Sequence, residues 1–294
     1  MSKRRDIRAA GAALLLAALC ASGCGVTRKL AVGSMVPILD QSVQATFRSA
    51  DLQTVREAIP ANLVLLRGLC ASEPGNRELH AVTAQLFFSY AMGFVEDEDP
   101  ARAVLLYREG AEIGRACLER RAWFRKAEAS RPLPDESALR RMGPEDVPLL
   151  FWTVANWSGR IAQQLTEPEA VAELPRVEAY LNRLLELQPD YFLGMPHVLK
   201  GTILTLRPRI MGGDPEKGKE HFDEALRISG RRMLFFQTMV ARYYCRQTLD
   251  AEGFDANLRE VLDASEDLLP EYRLMNLLAR EKAGRLMEKR DEWF

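Results

Sequence analysis

Apolar residues along most of the chain recur at spacings of three and four residues, which is the spacing of one face of an α-helix. One such face contains Leu79, Val82, Leu86, Phe87, Tyr90, Ala91 and Phe94, and the next contains Val104, Leu105, Tyr107, Ile113 and Leu118. Val, Ile and Thr nowhere gather into an alternating run of strand length. The pattern therefore predicts an all-α fold.

Turn-forming residues divide the helical stretches into antiparallel pairs. Between the first two faces, Asp99 is placed to cap a helix whose first turn contains Pro100. The same arrangement predicts three further pairs and a terminal helix: 147–165 with 171–187, 191–206 with 215–228, 232–249 with 254–268, and 271–288. A proline-rich stretch, 126–148, connects the first pair to the second.

Recurring helix pairs predict a right-handed array of tetratricopeptide-like repeats. In the first pair, Phe87, Ala91 and Phe94 occupy the positions where the first helix of that repeat has Trp, Gly and Tyr. Ala103 and Tyr107 follow at its Ala and Phe positions, and Gly110 at the next small position. Because the matches are degenerate, a helical bundle without repeats is the alternative.

The first 24 residues predict a lipoprotein signal peptide. Four basic residues precede an apolar run from Ala9 to Leu19, and small residues then lead to Cys24. The run is shorter than the roughly 20 residues that span a membrane. We expect cleavage after residue 23, a lipid on Cys24, a tether and first helix over 24–44, and a helical domain over 45–294. Gly25 resembles the sorting signal for the outer membrane, so we expect the protein on the periplasmic side, anchored by lipid.

Charge and chemistry exclude several classes of function. Removing residues 1–23 leaves 40 − 4 = 36 basic and 41 − 1 = 40 acidic residues, whereas nucleic-acid binding requires a clustered basic footprint. The three histidines form no ligand pair at helical spacing, and no Gly-x-Ser-x-Gly motif is present. We expect no catalysis, metal or cofactor. Cys70, Cys117 and Cys245 are expected to be buried thiols, with one disulfide as the alternative.

Three sequence blocks, together with the lipoprotein start, resemble the T component of TRAP transporters, the TatT family. The resemblance runs from about Ala45 to Phe294, and the blocks are 150–157 (LFWTVANW), 210–218 (IMGGDPEKG) and 240–247 (VARYYCRQ). It implies a periplasmic lipoprotein of tetratricopeptide-like helices that forms a homotrimer. It also implies a partner, the solute-binding (P) subunit of a tripartite ATP-independent periplasmic transporter, to which a small hydrophobic ligand is passed.

The same blocks supply a candidate ligand channel. Its residues are Phe151, Trp152, Trp157, Arg209, Met211, Tyr243, Tyr244 and Gln247. Core packing is the alternative for the aromatic residues, because a helix that is apolar all round is either buried or borders an apolar channel. A tetratricopeptide-like scaffold lipoprotein for envelope assembly is the alternative function.

Overall fold

A computed structural model describes residues 37–294, and helices connected by turns make up this part of the chain, with no strand in it. The predicted all-α fold is therefore confirmed. The predicted signal peptide, the lipid-bearing Cys24 and most of the predicted tether lie outside the described residues. The helices are residues 37–47 (α1), Leu52–Ser72 (α2), Arg77–Tyr90 (α3), Pro100–Leu118 (α4), Ala122–Glu128 (α5), Glu136–Leu139 (α6), Val147–Ala162 (α7), Pro168–Val171 (α8), Leu174–Leu187 (α9), Met195–Leu206 (α10), Pro215–Ile228 (α11), Phe235–Met239 (α12), Arg246–Thr248 (α13), Ala251–Asp263 (α14), Arg273–Glu288 (α15) and Arg290–Trp293 (α16).

Aspartate caps set the starts of several helices. The Asp99 carboxylate accepts the Arg102 N–H at 3.0 Å, and Pro100 occupies the first turn of α4. Asp214 accepts the Lys217 N–H at 3.1 Å in front of Pro215 and α11. These contacts satisfy N–H groups that have no partner inside the helix. Both predicted caps are confirmed.

The start of α10 differs from the sequence prediction. The pattern predicted a helix from Tyr191, but Phe192 and Leu193 have φ angles of 46° and 60°, in the left-handed region. The helix therefore begins at Met195. The Phe192 ring lies 5.1 Å from Trp152 and 5.2 Å from Tyr272, between centroids, and this packing offsets the backbone strain.

Glycines bring α4 and α7 into near-backbone contact. An ideal Cβ on Gly110 would lie 2.4 Å from Asn156 Oδ1, and one on Gly114 would lie 1.9 Å from Thr153 Oγ1. From the other side, Gly159 leaves room for the Tyr107 ring. Only residues without a side chain permit this approach. The sequence prediction of a small-residue contact at Gly110 places it correctly at a helix interface.

The predicted connection between the first two pairs is itself ordered by a buried carboxylate. Asp146, which is fully buried, accepts hydrogen bonds from Arg77 at 3.0 Å and from the Trp123 indole at 2.7 Å, and it pairs with Arg121. These contacts tie α3, α5 and the start of α7 together. The proline-rich stretch is thus part of the packed structure and contains α6.

Cys70, Cys117 and Cys245 are buried and unpaired, as the sequence predicts. Burial raises the pKa of Cys70 to about 11 and that of Cys245 to about 12. Since the thiolate is the reactive form, these thiols are chemically quiet at neutral pH. Within residues 37–294, no helix combines the length and apolar character needed to cross a membrane.

Candidate functional site

Two π-helical segments meet near the middle of the molecule. Ala91–Val95 continues α3, and Val240–Cys245 joins α12 to α13. In the first segment the Glu96 N–H donates to the Ala91 carbonyl, five residues back, at 2.8 Å. A π turn inserts an extra residue and redirects the side chains that follow, and such turns are frequent at functional sites.

A narrow apolar cavity lies beside both π segments. We call it the slot; its walls include Met92, Ala162, Met195, Leu199, Ile203 and Met239. Its volume is about 50 Å³, whereas a water needs roughly 10–15 Å³ measured in this way. The slot therefore accommodates a slender group. Methionine side chains are flexible and polarisable, so three of them give these walls room to adapt.

Few polar groups face the slot. The Ser158 hydroxyl is buried there with no hydrogen-bond partner in the described part of the chain. The Thr202 hydroxyl is already committed, because it donates to the Val198 carbonyl at 2.9 Å. A buried polar group without a partner is uncommon and costs free energy. The Ser158 oxygen is thus available to a ligand with a polar atom.

A cluster of buried charges closes one end of the slot. The Glu96 carboxylate accepts the Tyr107 hydroxyl at 2.6 Å, Lys282 Nζ at 3.1 Å and an Arg242 N–H at 3.2 Å. Asp97 accepts Lys282 Nζ at 2.5 Å and Arg242 at 2.8 Å. We call these four charged residues the ion cluster. It joins both π segments to α15.

The environment shifts the titration of groups in and beside the cluster. Burial would raise the pKa of Asp97, but the charges of Lys282 and Arg242 outweigh it, so the pKa lies below its usual value. Burial, and then the Glu96 carboxylate, raise the pKa of Tyr107 far above its usual value. Tyr107 therefore remains a hydrogen-bond donor at any physiological pH.

The structure disperses the eight residues of the predicted channel. Tyr243 lines the slot, whereas Phe151 and Trp152 lie in the core at 0% and 2% exposure. Arg209 pairs with Glu216 at 2.6 Å on the surface, and Met211 is exposed beside it. The last two residues follow Tyr243 in the chain: Tyr244 is half-buried and Gln247 is exposed.

Trp157 belongs to a different surface. It lies in an open groove of about 450 Å³ that contains five arginines and three carboxylates. Its indole N–H donates to Glu173, and the Arg115 guanidinium lies 5.2 Å from its ring centroid. Packing and hydrogen bonding therefore account for this tryptophan.

Sequence reasoning missed Met92, Glu96, Ser158 and Lys282. For Lys282 a signal was available, because it lies four residues from Leu278 and from Leu286 on the apolar face of α15. A lysine in such a position must be paired. Glu96 carried a weaker signal as the first acidic residue after an apolar stretch. For Ser158, nothing in the local pattern distinguishes a buried hydroxyl from an exposed one.

The two remaining polar features indicate no metal. Over residues 37–294, no three His, Cys, Asp or Glu side chains are placed to hold a metal ion. His197 and His221, on α10 and α11, place their Nδ1 atoms 2.9 Å apart. Burial, followed by the neighbouring His197, lowers the pKa of His221 to about 4. Both rings are therefore neutral at pH 7, and one donates to the other.

Comparison with known proteins gives two matches. The family described as TRAP transporter T-component matches residues 48–294. An uncharacterized protein of Treponema pallidum (strain Nichols) is 25% identical over 263 residues, which cover 83% of this chain and 80% of that protein.

Proposed function

We propose, because the chain belongs to the family of TRAP transporter T-components, that it binds the solute-binding (P) subunit of such a transporter and hands it a small apolar ligand. The observation that carries the ligand part is the slot, which combines apolar walls with one unpartnered hydroxyl, Ser158. Ligand sites are commonly apolar clefts with a few placed polar groups. The absence of a recognisable catalytic arrangement in the sequence favours binding over chemistry.

The proposal extends to architecture and location. We propose that the helix pairs form a right-handed tetratricopeptide-like array, supported by the close packing of α4 on α7 and by the contact of Gly201 with Gly218 between α10 and α11. We also propose a homotrimer, anchored at the periplasmic face of the outer membrane through Cys24. Light scattering that gives a monomer mass would contradict the trimer, and acyl labelling of a Cys24→Ser chain would contradict the anchor.

A substitution that fills the slot tests the ligand site. Ala162 is half-buried in the slot wall, so Ala162→Phe introduces a ring where the ligand would lie. We expect calorimetry to detect binding of decanol, a neutral apolar probe, to the unmodified chain and at least about tenfold weaker binding to Ala162→Phe, since loss of apolar contact on this scale exceeds 1.4 kcal/mol.

Ala116→Phe is the matched control, because Ala116 is an exposed alanine of α4 away from the slot. It should bind decanol as the unmodified chain does. Undiminished binding to Ala162→Phe would remove the slot from the proposal. Binding by neither protein would favour the scaffold function.

A further inference from the structure

A second cavity lies on the far side of the ion cluster from the slot. Its volume is about 330 Å³. The basic side chains that line it outnumber the carboxylates of Asp97 and Glu288 by five to two; they are Arg242, Arg246, Lys282, Arg285 and Lys289. We call it the cationic pocket.

Two of the five cations have no carboxylate partner in the described part of the chain. Lys282 and Arg242 are held by Glu96 and Asp97, and Arg285 lies 3.7 Å from Glu98. Arg246, by contrast, lies over the Trp293 ring at 4.2 Å from its centroid, and no acidic group comes within 4 Å of it or of Lys289. The pocket therefore has surplus positive charge at its mouth, and an anion is the group that it favours.

The cationic pocket and the slot are neighbours that share a wall. Met239 lines both cavities. Glu96 faces the slot and Asp97 faces the pocket, and Lys282 contacts both carboxylates. An apolar space thus lies next to a basic one, with an adaptable methionine at the boundary. A molecule with an apolar tail and a charged head would match both spaces at once.

We infer that the ligand is an amphiphile with an anionic head, which lies against Arg246 and Lys289 in the cationic pocket, and a slender tail that enters the slot. This inference rests on the proposed function of the slot. A neutral head would leave the two cations unmatched, and a cationic head would be repelled by them. The head is a carboxylate or a phosphate, since both match the chemistry of Arg and Lys.

Four decyl compounds with the same tail test the inference by calorimetry on the full chain, below the concentrations at which they form micelles. They are decanoate, decyl phosphate, decanol and decyltrimethylammonium. We expect at least one anion to bind about tenfold or more tightly than decanol, since charge-assisted contacts exceed neutral ones by this margin, and we expect added salt to reduce the difference. The tighter of the two anions identifies the head group.

Removal of the unpartnered cations should abolish the preference. In Arg246→Gln/Lys289→Gln, we expect the anions to bind no better than decanol, while decanol binding is unchanged. Lys219→Gln/Arg227→Gln, at exposed cations of α11 outside both cavities, is the matched control and should keep the preference. Circular dichroism checks that both variants fold.

The outcomes separate this inference from the proposed function. Equal binding of decanol and both anions, or a preference that survives Arg246→Gln/Lys289→Gln, would overturn the anionic head and leave the slot in place. Failure of decanol and of all three charged compounds to bind would overturn the inference together with the slot.

Discussion

Glu96 shows at the residue scale how this molecule tolerates buried charge. Its side chain is 7% exposed, and that of Lys282 is 6% exposed. Burial of each charge alone would cost several kcal/mol, and only close pairing with further hydrogen bonds offsets it. The Tyr107 hydroxyl and Arg242 supply those further contacts. The cluster therefore fixes three separate elements in one relative position.

Replacement of Lys282 should reveal this dependence. Lys282→Met keeps the length of the side chain but leaves Glu96 and Asp97 with Arg242 as their remaining cation. We expect a loss of about 3 kcal/mol in unfolding free energy, at the lower end of the range for breaking a buried pair, because Arg242 and Tyr107 still contact Glu96. Urea unfolding measures the change.

Arg285→Met is the control, because Arg285 pairs with Glu98 and Glu281 in solvent at 3.7 and 3.4 Å. Exposed pairs contribute about 0–1 kcal/mol, so the control should change little. Equal losses in the two variants would show that the ion cluster has no special role in stability.

At the scale of elements, the sequence determines helix starts where a local cap is sufficient. Asp99 before Pro100 and Asp214 before Pro215 were predicted from the residues and are confirmed. The start of α10 was not predictable, since the left-handed Phe192 and Leu193 are held by rings that lie far away in sequence. Neither π segment was predictable, because the extra residue in each turn is stabilised by side chains on other elements.

Helix packing offers a prediction at the same scale. Gly110→Ala would place a methyl group 2.4 Å from Asn156 Oδ1 and 2.8 Å from Phe87 Cβ, so α4 and α7 would have to separate. Overpacking of this kind costs about 1–3 kcal/mol. Gly68→Ala in α2 meets no atom within 4 Å, and it should instead stabilise the protein by about 0.4–1 kcal/mol. Thermal unfolding of both variants checks the pair; a stable Gly110→Ala would mean that the interface is loose.

For the whole molecule, the family and the all-α fold followed from the sequence, whereas the site followed only in part. Aromatic blocks drew attention to α7, but Phe151 and Trp152 proved to be core residues because α7 is covered on nearly every side. Of the eight predicted residues, Tyr243 lines the slot. The slot itself draws walls from α3, α4, α7, α10 and α12 and from both π segments. No local pattern reports which walls such distant segments will share.

Binding of the full chain to the immobilised solute-binding subunit of a TRAP transporter from the same organism is the most direct test of the proposed function. We expect saturable binding, measured by surface plasmon resonance with and without decanoate, and no binding to a solute-binding protein of an unrelated transporter. Failure to bind the cognate subunit under both conditions would contradict the proposal and favour a scaffold role in the cell envelope.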